Sequence, residues 1–329
     1  MAYKDVVKSD ISFITMYSDY TPVIDKIIEK LEGTSIERVQ TGAYVSTNPK
    51  SILDNTRAFY SSLPGDYSRL FQQYYNDRAN SIRFSKIKKG NLPEGETTPI
   101  YGTKNSHIEA EYSNCFEDYT TAIHEYSHGI SSMLNPNQLF DIEKYCISEI
   151  DSLFFEMIGS DFTSKRLNLK KHAINSSLDM MDDYLSDATI LYSKLYMYMK
   201  TSFKWTKTNI EKYFINAGYN DNEINDCMNK YFKDCFHYLY SYLCAIELYL
   251  IYRQDKKEAL DRVLRIVKAS DMNNKEYLNY VRSLGINPGE NIYSYLDLLQ
   301  KTDMELGNGK RLQYKINWFK EKVKVFKKY

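Results

Sequence analysis

Apolar positions along this chain recur mostly every three to four residues, the period of helices that bury one face. Tyr20 to Leu31 sets Val23, Ile24, Ile27, Ile28 and Leu31 on one stripe, and Gly33 closes the segment. Residues 50 to 85 read as one or two helices, broken at Pro64-Gly65. From Lys88 to Thr103 the period lapses. Gly90, Pro93, Gly95, Pro99 and Gly102 follow one another closely there and predict loop and turn. His107 to Tyr112 alternates polar and apolar residues, which predicts a short strand. Helical spacing resumes at Asn114 and runs to about Thr302, with breaks at Asn135-Pro136-Asn137, Gly218 to Asp221 and Gly285 to Gly289. The tail from Tyr314 to Tyr329 is basic and amphipathic, and its Trp318, Phe319, Val323 and Phe326 predict a closing helix docked on the core. The pattern holds no internal repeat and no linker. The expectation is a mainly α fold, one domain over residues 1–329 with a small β element.

Composition narrows the function classes. At 329 residues the chain can bury a large core. Its 43 basic and 43 acidic residues cancel, so no net field draws it to nucleic acid or to an anionic membrane. No apolar run has membrane-spanning length. Five cysteines without a C-x-x-C pair, and an N-terminus without a signal-type apolar stretch, point to a reducing, cytoplasmic setting. Tyrosine is abundant at 31 residues, so any tyrosine cluster carries less weight than it would elsewhere.

One motif carries chemistry. His124-Glu125-Tyr126-Ser127-His128 places two imidazoles four residues apart, on one face of a helix, where both can grip one Zn²⁺. Glu125 follows the first imidazole and can reach a water on the metal without binding the metal itself. The flanks supply the helix: Asn114 and Glu117 have capping-box spacing, Tyr119, Ile123 and Ile130 offer an apolar face, and Pro136 forces a stop. A metzincin would need a histidine at 134 and a glycine at 131; Leu134 and Ser131 exclude that subclass.

A third ligand must then come from a following helix. Glu143, Glu149 and Glu156 are the candidates, with Asp141 and Asp151 behind them. The motif helix runs on for roughly 10 Å from His128 to its end, at about 1.5 Å per residue. A return helix beginning near Asp141 covers that distance by Glu149, while Glu143 falls at the turn and Glu156 overshoots. Glu149 is therefore the expected third ligand. Glu156, two turns further along the same face, is expected to orient a histidine.

The runs Glu117-Asp118-Tyr119-Thr120-Thr121-Ala122-Ile123-His124-Glu125-Tyr126-Ser127-His128 and Ser148-Glu149-Ile150-Asp151-Ser152-Leu153-Phe154-Phe155-Glu156 resemble the oligoendopeptidase F and thimet oligopeptidase family. In that family a glutamate about 25 residues after the first histidine completes the zinc site, which matches Glu149. A second glutamate seven residues on matches Glu156. Ser127 departs from the family's usual glycine. Pro64-Gly65-Asp66-Tyr67 through Arg83, and Tyr277 through Leu299 with Ser283-Leu284-Gly285, are also similar to it. The resemblance implies a gluzincin-type helical catalytic domain, one Zn²⁺ per chain, a peptide substrate, and backbone pairing of that peptide near His107–Tyr112. Residues 1–110 would be a shortened N-terminal helical part, since family members commonly carry a longer one roofing the channel.

The segment Phe236-His237-Tyr238-Leu239-Tyr240-Ser241-Tyr242 resembles the family's tyrosine-rich stretch, which donates hydroxyls to the transition state. Tyr238 and Tyr242, four apart, are the favoured donors, with Tyr240 behind them. The family histidine about ten residues earlier is Phe232 here, leaving His237 as the nearest alternative. Core packing is the competing reading of these tyrosines. The expected function is a zinc metalloendopeptidase acting on short unstructured peptides. The alternatives are a zinc carboxypeptidase on the same scaffold and an inactive peptide-binding helical protein.

Overall fold

The computed structural model describes residues 6, 8–10, 12–13, 35–36, 44–89, 91–136, 149–200, 212, 214–215, 220–269, 272, 274–306 and 312–313. In chain order the elements are β1 (Ser35–Ile36), α1 (Pro49–Ser62), α2 (Asp66–Asn76), β2 (Ser81–Lys86), β3 (Gly95–Pro99), β4 (Ser106–Tyr112), α3 (Glu117–Leu134) and α4 (Glu149–Leu167). There follow α5 (Lys170–Lys200), α6 (Asp221–Asn229), α7 (Phe232–Gln254), α8 (Lys256–Lys268), α9 (Asn274–Ser283), α10 (Ile292–Glu305) and β5 (Leu312–Gln313). The fold is mainly α, as the periodicity predicts. The expected segments Tyr20–Leu31 and Tyr314–Tyr329 lie outside the described residues, as does the start of the return helix near Asp141.

Two compact units share the chain. One takes Arg38–Asp179 and Ser241–Gly309; the other takes Met1–Glu37, Met180–Tyr240 and Lys310–Tyr329. The first holds the motif helix. Its core is aromatic: Tyr60 stacks on Phe71 with ring centres 4.8 Å apart, and Phe155 meets Tyr60 and Tyr67 at 5.7 and 4.8 Å. Because a buried tyrosine must satisfy its hydroxyl, Tyr60 donates to the carbonyl of Ile123, 2.8 Å away, which fastens α1 to α3. Two glycines let helices come close. A Cβ at Gly129 would lie 2.5 Å from the Tyr74 ring, and one at Gly159 would lie 2.7 Å from Ile123 Cδ1.

A three-stranded sheet in the same unit has the order β2-β4-β3, with β2 parallel and β3 antiparallel to β4. In β4, Ser106, Ile108 and Ala110 are buried while His107 and Glu109 are exposed, the alternation read from the sequence. Three departures from the sequence reading follow. Residues 81–86 form a strand and not a helix end, and 95–99 form a strand inside the stretch read as loop. In addition, β4 is the central strand with both edges occupied. An incoming peptide backbone can therefore pair only with an outer strand of this sheet and not with His107–Tyr112.

The second unit contains a buried ion pair. Lys194 Nζ meets Asp10 Oδ2 at 2.7 Å, and the same oxygen accepts from Tyr198 Oη at 2.7 Å. The other carboxylate oxygen accepts from the backbone N–H of Phe232 at 2.7 Å, and Lys194 also donates to the carbonyl of Lys230. Both carboxylate oxygens of Asp10 thus accept hydrogen bonds, as burial of a charge demands.

Candidate metal centre

The motif helix α3 starts and stops for reasons visible in its flanks. Asn114 is not the cap: it takes the left-handed conformation at φ 64°. Asp118 does that work instead, accepting from the backbone N–H of Ser113 at 2.9 Å, Asn114 at 2.9 Å and Cys115 at 3.1 Å, and from the hydroxyl of Thr47. An anionic acceptor at a helix start also complements the helix dipole. The helix ends at Leu134, where Asn135 N–H caps the carbonyl of Ser131 at 3.0 Å ahead of Pro136.

From α3 the two motif imidazoles project together. Their Nε2 atoms are 3.1 Å apart, and Glu149 Oε2 lies 3.2 Å from Nε2 of His124 and 3.4 Å from Nε2 of His128. All three are partly or fully buried. Glu149 lies on α4, and Ser152 Oγ donates to its Oε2 at 3.0 Å. At His124 the other ring nitrogen, Nδ1, meets Glu156 Oε2 at 3.0 Å. The spacing of seven residues between Glu149 and Glu156 thus brings each carboxylate to a different nitrogen of one imidazole.

The donor set suits a divalent metal. Ligand atoms on a tetrahedral zinc stand about 3.3 Å apart when each bond is about 2.0–2.1 Å. The three separations here are 3.1, 3.2 and 3.4 Å. Two nitrogens and one oxygen at this spacing match that geometry, and the glutamate on Nδ1 is the orienting partner that metal-binding histidines favour.

Electrostatics reinforce the cluster. Burial works against charge on His124, yet its hydrogen bonds to Glu149 and Glu156 win and hold it well above the usual histidine range. Burial likewise opposes charge on Glu149, but His128 and His124 pull its carboxyl well below the usual range. A cation placed among these donors would take over the attraction that now favours protons on the imidazoles.

Glu125 is 5% exposed and held from the sheet side. Thr97 Oγ1, on β3, donates to Glu125 Oε2 at 2.6 Å and lies 3.0 Å from the Glu125 carbonyl. Gly95, two residues earlier on the same strand, leaves room for this side chain: a Cβ there would lie 2.6 Å from both Cγ and Oε1 of Glu125. Neither Gly95 nor Thr97 stood out in the sequence, where the prolines and glycines around them signalled only a turn.

Asp151, ranked low as a ligand, sits against α3 and not among the donor atoms. Its Oδ2 accepts from Ser127 Oγ at 2.8 Å and Ser131 Oγ at 2.6 Å. Burial pushes this carboxyl up. Glu143 and Asp141 lie outside the described residues.

The tyrosine segment departs from the sequence reading. Tyr242 is fully buried, with its hydroxyl toward that of Tyr295, so it faces core and not solvent. Tyr240 is 1% exposed and packs on Phe236 at 5.7 Å. His237 meets Phe13 and Phe236 edge-on at 5.6 and 6.1 Å, and burial lowers its pKa to about 3, so it is a neutral ring in an aromatic pocket. Tyr238, at 42% exposure, is the member of the set that reaches solvent. Elsewhere in the motif-bearing unit, a cavity of about 410 Å³ between α4, α5, α7 and α10 is lined by none of the metal donors.

No protein-family model matches this sequence, and no curated protein matches it. Solved structures do share its fold. A provisionally assigned oligoendopeptidase F from Bacillus anthracis str. Ames aligns at TM-score 0.52 and 15% identity, over 91% of this chain and 55% of its own. PZ peptidase A, solved with an inhibitor, aligns at TM-score 0.58 and 14% identity, over 88% of this chain and 59% of its own. A provisionally assigned peptidase from Chlamydophila abortus aligns at TM-score 0.54 and 14% identity, over 92% of this chain and 55% of its own. The chain therefore has the oligoendopeptidase F type of fold, and it spans little more than half the length of these structures. Among the described residues no helix is long and apolar enough to cross a membrane.

Proposed function

We propose that this chain is a zinc-dependent metalloendopeptidase that hydrolyses internal bonds of short, unstructured peptides. The observation that carries the reading is the triangle of His124, His128 and Glu149 donors at 3.1–3.4 Å, with Glu125 seated beside it by Thr97. A bound Zn²⁺, one per chain, supplies Lewis acidity toward the scissile carbonyl and toward water.

The residues divide the remaining work. Glu156 fixes the ring of His124 through Nδ1, so that Nε2 is presented to the metal. Glu125 accepts a proton from the attacking water and delivers it to the departing amine nitrogen. The hydroxyl adds to the carbonyl carbon and the C=O electron pair moves onto oxygen; when that pair returns, the C–N bond breaks and the nitrogen takes the proton from Glu125, so no covalent enzyme intermediate forms. Pairing of the peptide backbone falls to β3, the outer strand that carries Thr97. Tyr238 is the proposed hydroxyl donor to the oxyanion, on the strength of its place in the tyrosine-rich segment and its exposure.

The test is cleavage of a mixed quenched-peptide library by zinc-loaded wild type and by Glu125→Gln, with products identified by mass. Internal cuts by the wild type alone are expected, with zinc retained in the variant. Release of single C-terminal residues would make the protein a carboxypeptidase. Silence with one zinc bound would make it a binding protein, and an active Glu125→Gln would remove Glu125 as the base.

A further inference from the structure

One buried carboxylate close to the metal donors in sequence, Asp151, has no part in the reaction above. Asp151 is 4% exposed and Ser127 1% exposed. A single oxygen, Asp151 Oδ2, accepts from both Ser127 and Ser131, at 2.8 and 2.6 Å. Those serines are four apart on α3, one turn, and they bracket His128. Asp151 itself stands two residues after Glu149 on α4.

That location matters for the ligand. Glu149 and Asp151 lie within one turn of α4, so whatever fixes Asp151 against α3 also fixes the backbone that carries Glu149. Ser152 orients the Glu149 carboxylate from within α4, but it cannot fix α4 against α3. The Asp151 bonds do. They join the turn bearing the third donor to the turn bearing His128, so sliding of one helix along the other breaks both at once. A carboxylate is a costly group to bury, and simple helix packing would be served by an apolar side chain here.

We infer that Asp151, gripped by Ser127 and Ser131, is a positioning residue that sets the register of Glu149 against His124 and His128 and thereby the affinity and geometry of the metal site. The inference rests on the metal site proposed above.

The test uses the full chain as wild type, Asp151→Asn, Ser131→Ala and Ser131→Thr. Zinc affinity is measured by chelator competition, coordination by the visible spectrum of the Co²⁺ form, and folding by thermal unfolding of the metal-free proteins. Asp151→Asn is expected to weaken zinc binding by about 10- to 100-fold and to alter the cobalt spectrum. Ser131→Ala, which removes one donor at a partly exposed position, should weaken it by roughly three- to tenfold, and Ser131→Thr should restore it. Ser131→Ala decides the matter if Asp151→Asn does not fold. Wild-type zinc affinity and cobalt spectrum in the variants, whatever their melting temperatures, would reduce the contact to ordinary packing and overturn the inference. A wild type that binds no zinc would instead overturn the metal-site reading on which it rests.

Discussion

Replacing Gly95 with alanine tests whether the seat of Glu125 sets the rate. The added methyl would lie 2.6 Å from Glu125 Cγ and Oε1 and 2.8 Å from Cδ. Carbon atoms in contact settle about 3.5–4.0 Å apart, so the shortfall is about 1 Å. Glu125 cannot yield through its backbone, which lies inside α3. Its carboxylate must swing away from Thr97, breaking the 2.6 Å hydrogen bond, or β3 must retreat. A displacement of about 1 Å at a reacting group costs on the order of 100-fold in rate, or about 2.7 kcal/mol of barrier. The three atoms nearest to the methyl all belong to Glu125 and not to a metal donor, so zinc content should stay at wild-type level. The assay is kcat/KM on a quenched peptide that the wild type cleaves, beside zinc stoichiometry. Thr98→Ala, at an exposed position of the same strand, serves as the control and should stay within about twofold. Full activity in Gly95→Ala would refute the claim that this seat fixes the base.

Other outcomes follow from the same geometry. Glu149→Ala should abolish stoichiometric zinc binding, measured by metal analysis after gel filtration, and Glu156→Ala should weaken zinc affinity by about 10- to 100-fold through the freed His124 ring. In the other unit, Lys194→Met leaves Asp10 buried without its cation and should cost about 3–5 kcal/mol in denaturant unfolding. His237 gives a pH signature. Its folded pKa of about 3 lies below its unfolded value, so the unfolded chain binds the extra proton. Its contribution to stability is complete above the unfolded pKa and is lost as pH falls from about 6.5 toward 3, at up to about 1.4 kcal/mol per pH unit. His237→Phe should flatten that acid limb in pH-dependent melting; an unchanged limb would place the histidine in water.

The grouping of His124, His128 and Glu149 was legible because its rule is local or nearly so. Four residues on a helix fix the His124–His128 relation, and a helix-length argument reaches Glu149 without knowing the rest of the fold. Glu156 follows from the same periodicity. The seat of Glu125 was not legible, because it depends on a strand arriving from elsewhere. Pro93, Gly95 and Pro99 signal a turn by their own preferences, yet pairing with β4 draws residues 95–99 into the sheet. Asn114 and Glu117 fit a capping box by spacing, but the left-handed backbone at Asn114 hands the cap to Asp118, whose three backbone partners no spacing rule anticipates.

The tyrosines show where helical periodicity stops being informative. Tyr238 and Tyr242 do lie one turn apart on α7, but a shared face has a shared environment only if the surroundings are uniform along the helix. At Tyr238 the side chain is 42% exposed, while at Tyr242 it is 0% exposed, because by Tyr242 the helix has entered a core that includes Tyr295. Tyr242 is thereby spent on packing, and the burial of Tyr240 does the same at the position between them. A hydroxyl that must meet a developing negative charge has to reach substrate, and in this segment only Tyr238 combines the right chemistry with exposure. Tyr238→Phe removes one oxygen and nothing from the core. It should therefore lower kcat without shifting the melting temperature, whereas Tyr242→Phe should do the reverse.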